Sequence, residues 1–214
     1  MLNMLRRSRD TVGAPDETVA EFLRGYSIEV MPRTAAKIEN FAALLPAGTR
    51  VYIAHIEGTP IEDMVATAKR LHDEGFAPMP HLPARIMAGA GELDEWLAAY
   101  SEVGVDQALL LAGGAATPYG DFDSSMAMME TGLFQKHGYR RLHVAGHPEG
   151  NKDIDAEGAT TNADAAIAWK QAFAREHGFE MAIVTQFAFD AKPVIEWAER
   201  LRAQGIELPI HVGI

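Results

Sequence analysis

Apolar and polar positions along this chain fall into two rhythms, one of strand period and one of helix period, which take turns from residue 27 onward. Residues 27–31 form a short extended run, and Pro32, with no N–H to give to a central ladder, ends it. Apolar residues at Ile38, Phe41, Ala42 and Leu45 predict a helix over 35–45, stopped by Pro46 and Gly48. Residues 50–56 read as a strand, and Met64, Val65, Ala68 and Leu71 predict a helix over 61–74, with Gly75 in the C-cap slot.

The unit then repeats. Strands are expected at 76–82, 106–111, 141–145, 181–186 and 208–214, and helices at 92–103, 124–136, 162–176 and 193–204. Residues 107–111, Gln-Ala-Leu-Leu-Leu, have the continuous apolar character of a strand covered on both faces. Strands alternating with helices imply parallel pairing through right-handed crossovers. Two architectures answer that description, an open doubly wound sheet and a (β/α)8 barrel. No Gly-x-Gly-x-x-Gly turn follows the first strand, and polar residues recur at strand ends as Glu29, His55, His81, Gln186 and His211. Both observations favour a single-domain TIM barrel over residues 1–214. The chain stops on an apolar strand, so an eighth strand is expected from a missing C-terminal segment, or closure from a partner chain.

Composition narrows the class of function. A net charge of -11, with no run of Lys or Arg, excludes a nucleic-acid surface. The chain has no cysteine, which excludes disulfides, thiolate metal sites and a thiol nucleophile, and it fits a cytoplasmic setting. Residues 1–9 are basic but lack the apolar core of a secretory signal, no run approaches a membrane span, and a homo-oligomer is expected.

Five fragments carry a resemblance. Ser27-Ile28-Glu29-Val30-Met31-Pro32-Arg33-Thr34 resembles the opening S-F-E-F-F-P-P-[RK] of the methylenetetrahydrofolate reductase family. Pro80-His81-Leu82 is similar to its P-H-L, and Ala145 to Gly150 to its A-G-Y-P-E-G. Thr185 to Asp190 is similar to its T-Q-F-F-F-D, and the final six residues to its I-I-P-G-I. The resemblance implies a FAD-dependent (β/α)8 barrel that reduces 5,10-methylenetetrahydrofolate with NADH or NADPH. Glu29 would be the general acid, and Gln186 and Phe189 would contact the folate. His55, His81, Gly113, Gly114, His147, Asn151, Asp164 and Lys170 would contact the flavin. Burial at an apolar strand end is expected to raise the Glu29 pKa, as suits an acid working near neutrality.

The chain also departs from the family. Ala112-Gly113-Gly114 replaces its R-G-D, removing the aspartate near the flavin ring, and His55-Ile56-Glu57-Gly58 replaces T-Y-G-A. A folate-binding barrel without redox activity is therefore an alternative, and a metal-dependent hydrolase built on His55, His81, His147 and His211 is another. Structural roles are open as well. Glu29 could pair with Arg33, His81 could be a core histidine, Gln186 a capping amide, and Gly113-Gly114 a turn.

Overall fold

A computed structural model describes residues 17–155 and 160–214. Seven strands, β1 (Ser27–Val30), β2 (Arg50–Ile53), β3 (Ala77–Pro83), β4 (Gln107–Leu111), β5 (Arg141–Gly146), β6 (Glu180–Phe187) and β7 (Ile210–Gly213), form one sheet. All neighbouring pairs are parallel, and the spatial order follows the chain order from β1 to β7 without reversal.

Among the described residues, eight helices connect or precede the strands. They are α1 (Glu17–Phe22), α2 (Pro32–Ala35), α3 (Ile61–Asp73), α4 (Ala90–Glu102), α5 (Ser125–Met129), α6 (Leu133–Lys136), α7 (Thr161–His177) and α8 (Ala191–Ala203). Right-handed crossovers between strands taken in sequence place every connecting helix on the same side. The core agrees. Val51, Ile53, Leu110, Val144 and Ile183 from the strands share one buried cluster with Leu71 of α3, Leu97 of α4, Phe134 of α6, Ile167 of α7 and Trp197 of α8.

The other face of the sheet carries the alternate residues. Tyr52, Met79 and Leu109 form a small separate cluster there, with Leu111 and Val184 against it. Arg50, Gln107, Arg141, His143 and Glu180 share that parity. β3 reaches this arrangement despite Pro78, Pro80 and Pro83. Ala77 gives its N–H to Thr49 on the β2 side. Alternation then aims the missing donors of Pro78 and Pro80 at β4, whose pairing with β3 begins only at His81.

The eight-stranded (β/α)8 barrel is not what forms. Seven strands curl into a half-barrel, and β1 and β7 are its two edges, with no pairing between them among the described residues. Alternating strands and helices dictate parallel pairing and handedness, whereas closure requires a matched strand number, tilt and shear that no local pattern encodes.

Two helices also differ from expectation. The helix expected over 35–45 is reduced to α2 and a 3-10 turn at Phe41–Ala43. Arg70 of α3 donates to the carbonyls of Ala35 at 3.0 Å and Ile38 at 2.6 Å, which ties up acceptors that a continuous helix would use. The helix expected over 124–136 is split at Gly132, whose φ of 74° is left-handed. The lead-in expected at residues 1–9 lies outside the described residues. No helix among the described residues is long and apolar enough to cross a membrane.

Candidate functional site

Each strand's C-terminal end opens at one rim of the half-barrel, and the loop after β1 is fixed locally. Pro32 takes the first turn of α2, and the Thr34 hydroxyl accepts from the Met31 N–H at 3.0 Å while donating to the Met31 carbonyl at 3.0 Å. This sharp stop leaves Glu29 on the concave face, because Ile28 and Val30 pack into the helix-side core.

Across β2, Oε2 of Glu29 lies 3.2 Å from Nε2 of His81 on β3. The carboxylate side chain is 58% exposed and the imidazole 11%, so the pair has one wet and one dry partner. The separation is that of an ion pair, but Nε2 of His81 is buried and has no hydrogen bond of good direction among the described residues. The His81 imidazole draws the Glu29 carboxyl below its usual range, and burial only partly opposes this. The expected upward shift is therefore reversed, since Glu29 is too exposed for desolvation to win. Glu29 is an ionised partner of His81, and no ion pair joins it to Arg33 among the described residues.

His55 and Trp96 of α4 stack with ring centroids 5.2 Å apart and planes 10° from parallel. Burial, and then the nearby His81, push the His55 pKa down, partly offset by Glu92, so the ring is neutral near pH 7. Its Nδ1 is buried without a hydrogen-bond partner among the described residues. His55 and His81 are thus electrostatically coupled at the same rim.

Deeper on the concave face, the Tyr52 hydroxyl and Nδ1 of His143 are 2.7 Å apart. Burial raises the Tyr52 pKa to about 12 and lowers that of His143 to about 2, so the hydroxyl keeps its proton and donates to a neutral imidazole. The His143 and His211 rings meet edge to face at 5.1 Å. Tyr52 and His143 were not among the candidates, although the strand alternation of Arg50 with Tyr52, and of Arg141 with His143, is a period-two polar signal.

Most residues assigned to the flavin do not converge. Asp164 is buried between α7 and α8, where Oδ2 accepts from Nε of Arg200 at 3.1 Å and from Nε2 of Gln204 at 3.2 Å. A Cβ on Gly113 would sit 3.2 Å from that of Pro83, so protein fills the space behind this glycine, and its φ of 95° is a turn requirement. Space beside Gly114 is open. Asn151 accepts from the Asp153 N–H at 2.9 Å, a local turn contact. His147 and Lys170 do interact: burial lowers both pKa values, that of Lys170 to about 8, and Lys170 lowers His147 further.

The two residues expected at the folate are both exposed. Gln186 is exposed beside the irregularity that separates Val184 from Phe187 in the pairing of β6 with β7. Phe189 is 96% exposed and meets Phe187. A flavin does not fit this residue set, and without the closed eight-stranded barrel the flavin-dependent folate reductase and the redox-inactive folate barrel lose the fold they rested on. Among the described residues no group of three or more His, Asp or Glu side chains could hold a metal ion, so the hydrolase reading has no ligand set there.

No family model matches the chain. Among solved structures, a metagenomic short-chain oxidoreductase in complex with NADP aligns over 89% of this chain and 96% of its own, at 14% identity and a TM-score of 0.34.

Proposed function

We propose that the rim at the ends of β1, β2 and β3 is an active site where Glu29 and His81 manage a proton, in an oxidoreductase drawing hydride from NADH or NADPH. The observation that supports this reading is the buried Nε2 of His81, free of a well-directed hydrogen bond among the described residues and 3.2 Å from an ionised, half-exposed carboxylate. An ionised carboxylate beside an imidazole orients its proton and balances the charge of the imidazolium.

Reduction of a carbonyl or imine requires such a group. Hydride leaves the dihydronicotinamide and bonds to the substrate carbon, the C=O or C=N electron pair moves onto oxygen or nitrogen, and His81 gives that atom its proton. The nucleotide leaves oxidised. Glu29 holds the imidazolium before transfer and is open to water for its reprotonation. Neutral His55, stacked on Trp96, gives the rim an aromatic wall for a planar substrate.

The test is oxidation of NADH or NADPH by the purified chain with a panel of small aldehydes, ketones and imines. His81→Gln is expected to lower kcat by about 10²–10⁴-fold, the usual worth of a positioned general acid, while nucleotide affinity is unchanged. A chain that binds neither nucleotide, or a variant that turns over like the wild type, overturns the reading.

A further inference from the structure

We infer that the cleft between the two edges of the sheet, β1 and β7, is a docking groove in which an extended, uncharged, apolar segment of a partner protein adds as a parallel strand. The cleft has a volume of about 760 Å³. Leu23, Tyr26 and Ser27 line one side, and Ile210, His211 and Val212 the other.

Both walls offer backbone groups to an incoming strand. On β1 the Val30 carbonyl accepts from the Ala54 N–H at 2.8 Å, so the groups of Ile28 and Val30 point to β2 and alternation turns those of Ser27 and Glu29 to the open side. Beside β6, the Pro209 carbonyl accepts from the Ile183 N–H at 2.8 Å and the Gly213 carbonyl from the Ala188 N–H at 3.2 Å. The same alternation turns the groups of Ile210 and Val212 away from β6. Every neighbouring pair in the sheet is parallel, so β1 and β7 run in one direction and a single strand can pair with both. A row of unpaired N–H and C=O groups at a sheet edge is a template for strand addition.

Size and lining define the occupant. A strand residue in a packed sheet fills about 160 Å³, from its rise, the strand spacing and the layer spacing, so the cleft holds roughly five residues, an ordinary strand length. Phe22, Leu23, Tyr26, Val212 and Ile214 line the cleft and are all exposed, an apolar surface gathered where the backbone is also unpaired. Arg24 is the one lining residue with a full charge, and it is ion-paired with Glu21. Burial lowers the His211 pKa, so that ring is neutral near pH 7. The lining therefore matches an apolar segment without charge. A second copy of the chain fits less well, because each strand among its described residues is already part of a sheet, and a whole sheet does not enter a cleft the size of one strand.

The probe is a fluorescent peptide that copies residues 181–187, an uncharged strand that pairs parallel on both sides within this protein. Titrated with the full chain, its anisotropy is expected to rise and saturate. The same peptide N-methylated at the residues copied from Ile183 and Val184 keeps its side chains but loses one donor toward each edge, and is expected to bind about tenfold or more weaker. Phe22→Lys and Val212→Lys put a charge on opposite walls at exposed positions, where folding tolerates it, and each is expected to weaken binding by about tenfold. Leu44→Lys, at an exposed apolar residue outside the cleft, is expected to leave binding unchanged. Titration without saturation, equal binding of the N-methylated peptide, or full affinity in both Phe22→Lys and Val212→Lys overturns the groove. A chain that sediments as a dimer and leaves the peptide unbound gives the cleft to a second copy and overturns the partner strand.

Discussion

Glu29 on β1 and His81 on β3 meet over the intervening strand β2, with Oε2 and Nε2 3.2 Å apart. Curvature makes this possible. On a flat sheet, residues two strands apart are nearly 10 Å from one another, about twice the strand spacing. Bending toward the concave side lets a carboxylate and an imidazole close that gap, and buries the imidazole more than the carboxylate.

The pair has a pH signature. The Glu29 carboxyl is held below its unfolded value by His81, so its contribution to stability is present above the unfolded pKa. It is lost as pH falls through the folded pKa. Glu29→Gln is expected to remove that part of the acid sensitivity, read as a smaller shift of the urea midpoint between neutral pH and pH below the ordinary carboxyl value of 4.5. The effect is small because the side chain is half exposed.

His143 acts in the opposite sense to a salt-bridged histidine. Burial, with Arg50 as the next cause, lowers its pKa from 6.5 to about 2, so the unfolded chain binds the proton more readily. Stability is full above the unfolded pKa of 6.5 and falls progressively as pH drops toward 2. Tyr52→Phe removes the donor that satisfies Nδ1 and is expected to cost about 1–3 kcal/mol, the penalty of an unpaired buried acceptor, measured by urea denaturation at neutral pH.

Gly146 is held by packing rather than by conformation. A Cβ there would lie 2.5 Å from Cγ2 of Ile183 and 2.7 Å from the ring of Trp197. Both neighbours are buried, so neither can move cheaply. Gly146→Ala is expected to destabilise by about 1–3 kcal/mol through overpacking, measured as a lower thermal midpoint.

Asp164 separates a structural role from a cofactor role. Its Oδ2 accepts from Arg200, Gln204 and Thr160, joining α7 to α8. Asp164→Asn is expected to lower the thermal midpoint, at a cost of about 1–3 kcal/mol, and to leave turnover per folded molecule unchanged.

Much of the secondary structure was legible in the sequence because its signals are local. Met64, Ala68 and Leu71 fell at helical spacing and are fully buried in α3, and the apolar run of β4 reads as a covered strand. What failed depended on partners distant in the chain. Nothing near Ala35 reveals that Arg70 will claim the carbonyls of the next turn. The barrel rested on polar residues at strand ends and on a missing Gly-x-Gly-x-x-Gly turn, and neither signal counts strands or fixes their shear. At the site, Glu29 and His81 both stand out in the sequence as polar residues at strand ends, yet their contact and the reversed pKa of Glu29 follow from curvature and exposure. Tyr52 and His143 carry no motif of their own because each sits inside an apolar strand, although the polar positions two residues before them mark an uncovered face.

A double-mutant cycle on kcat for nucleotide oxidation tests the central claim most directly, using His81→Gln, Glu29→Gln and the double variant with the best acceptor found. If Glu29 acts through His81, each single change lowers kcat and the double variant loses no more than about what His81→Gln loses alone, as groups that act as a unit do. Independent, additive losses, or a Glu29→Gln enzyme as fast as the wild type, would contradict it.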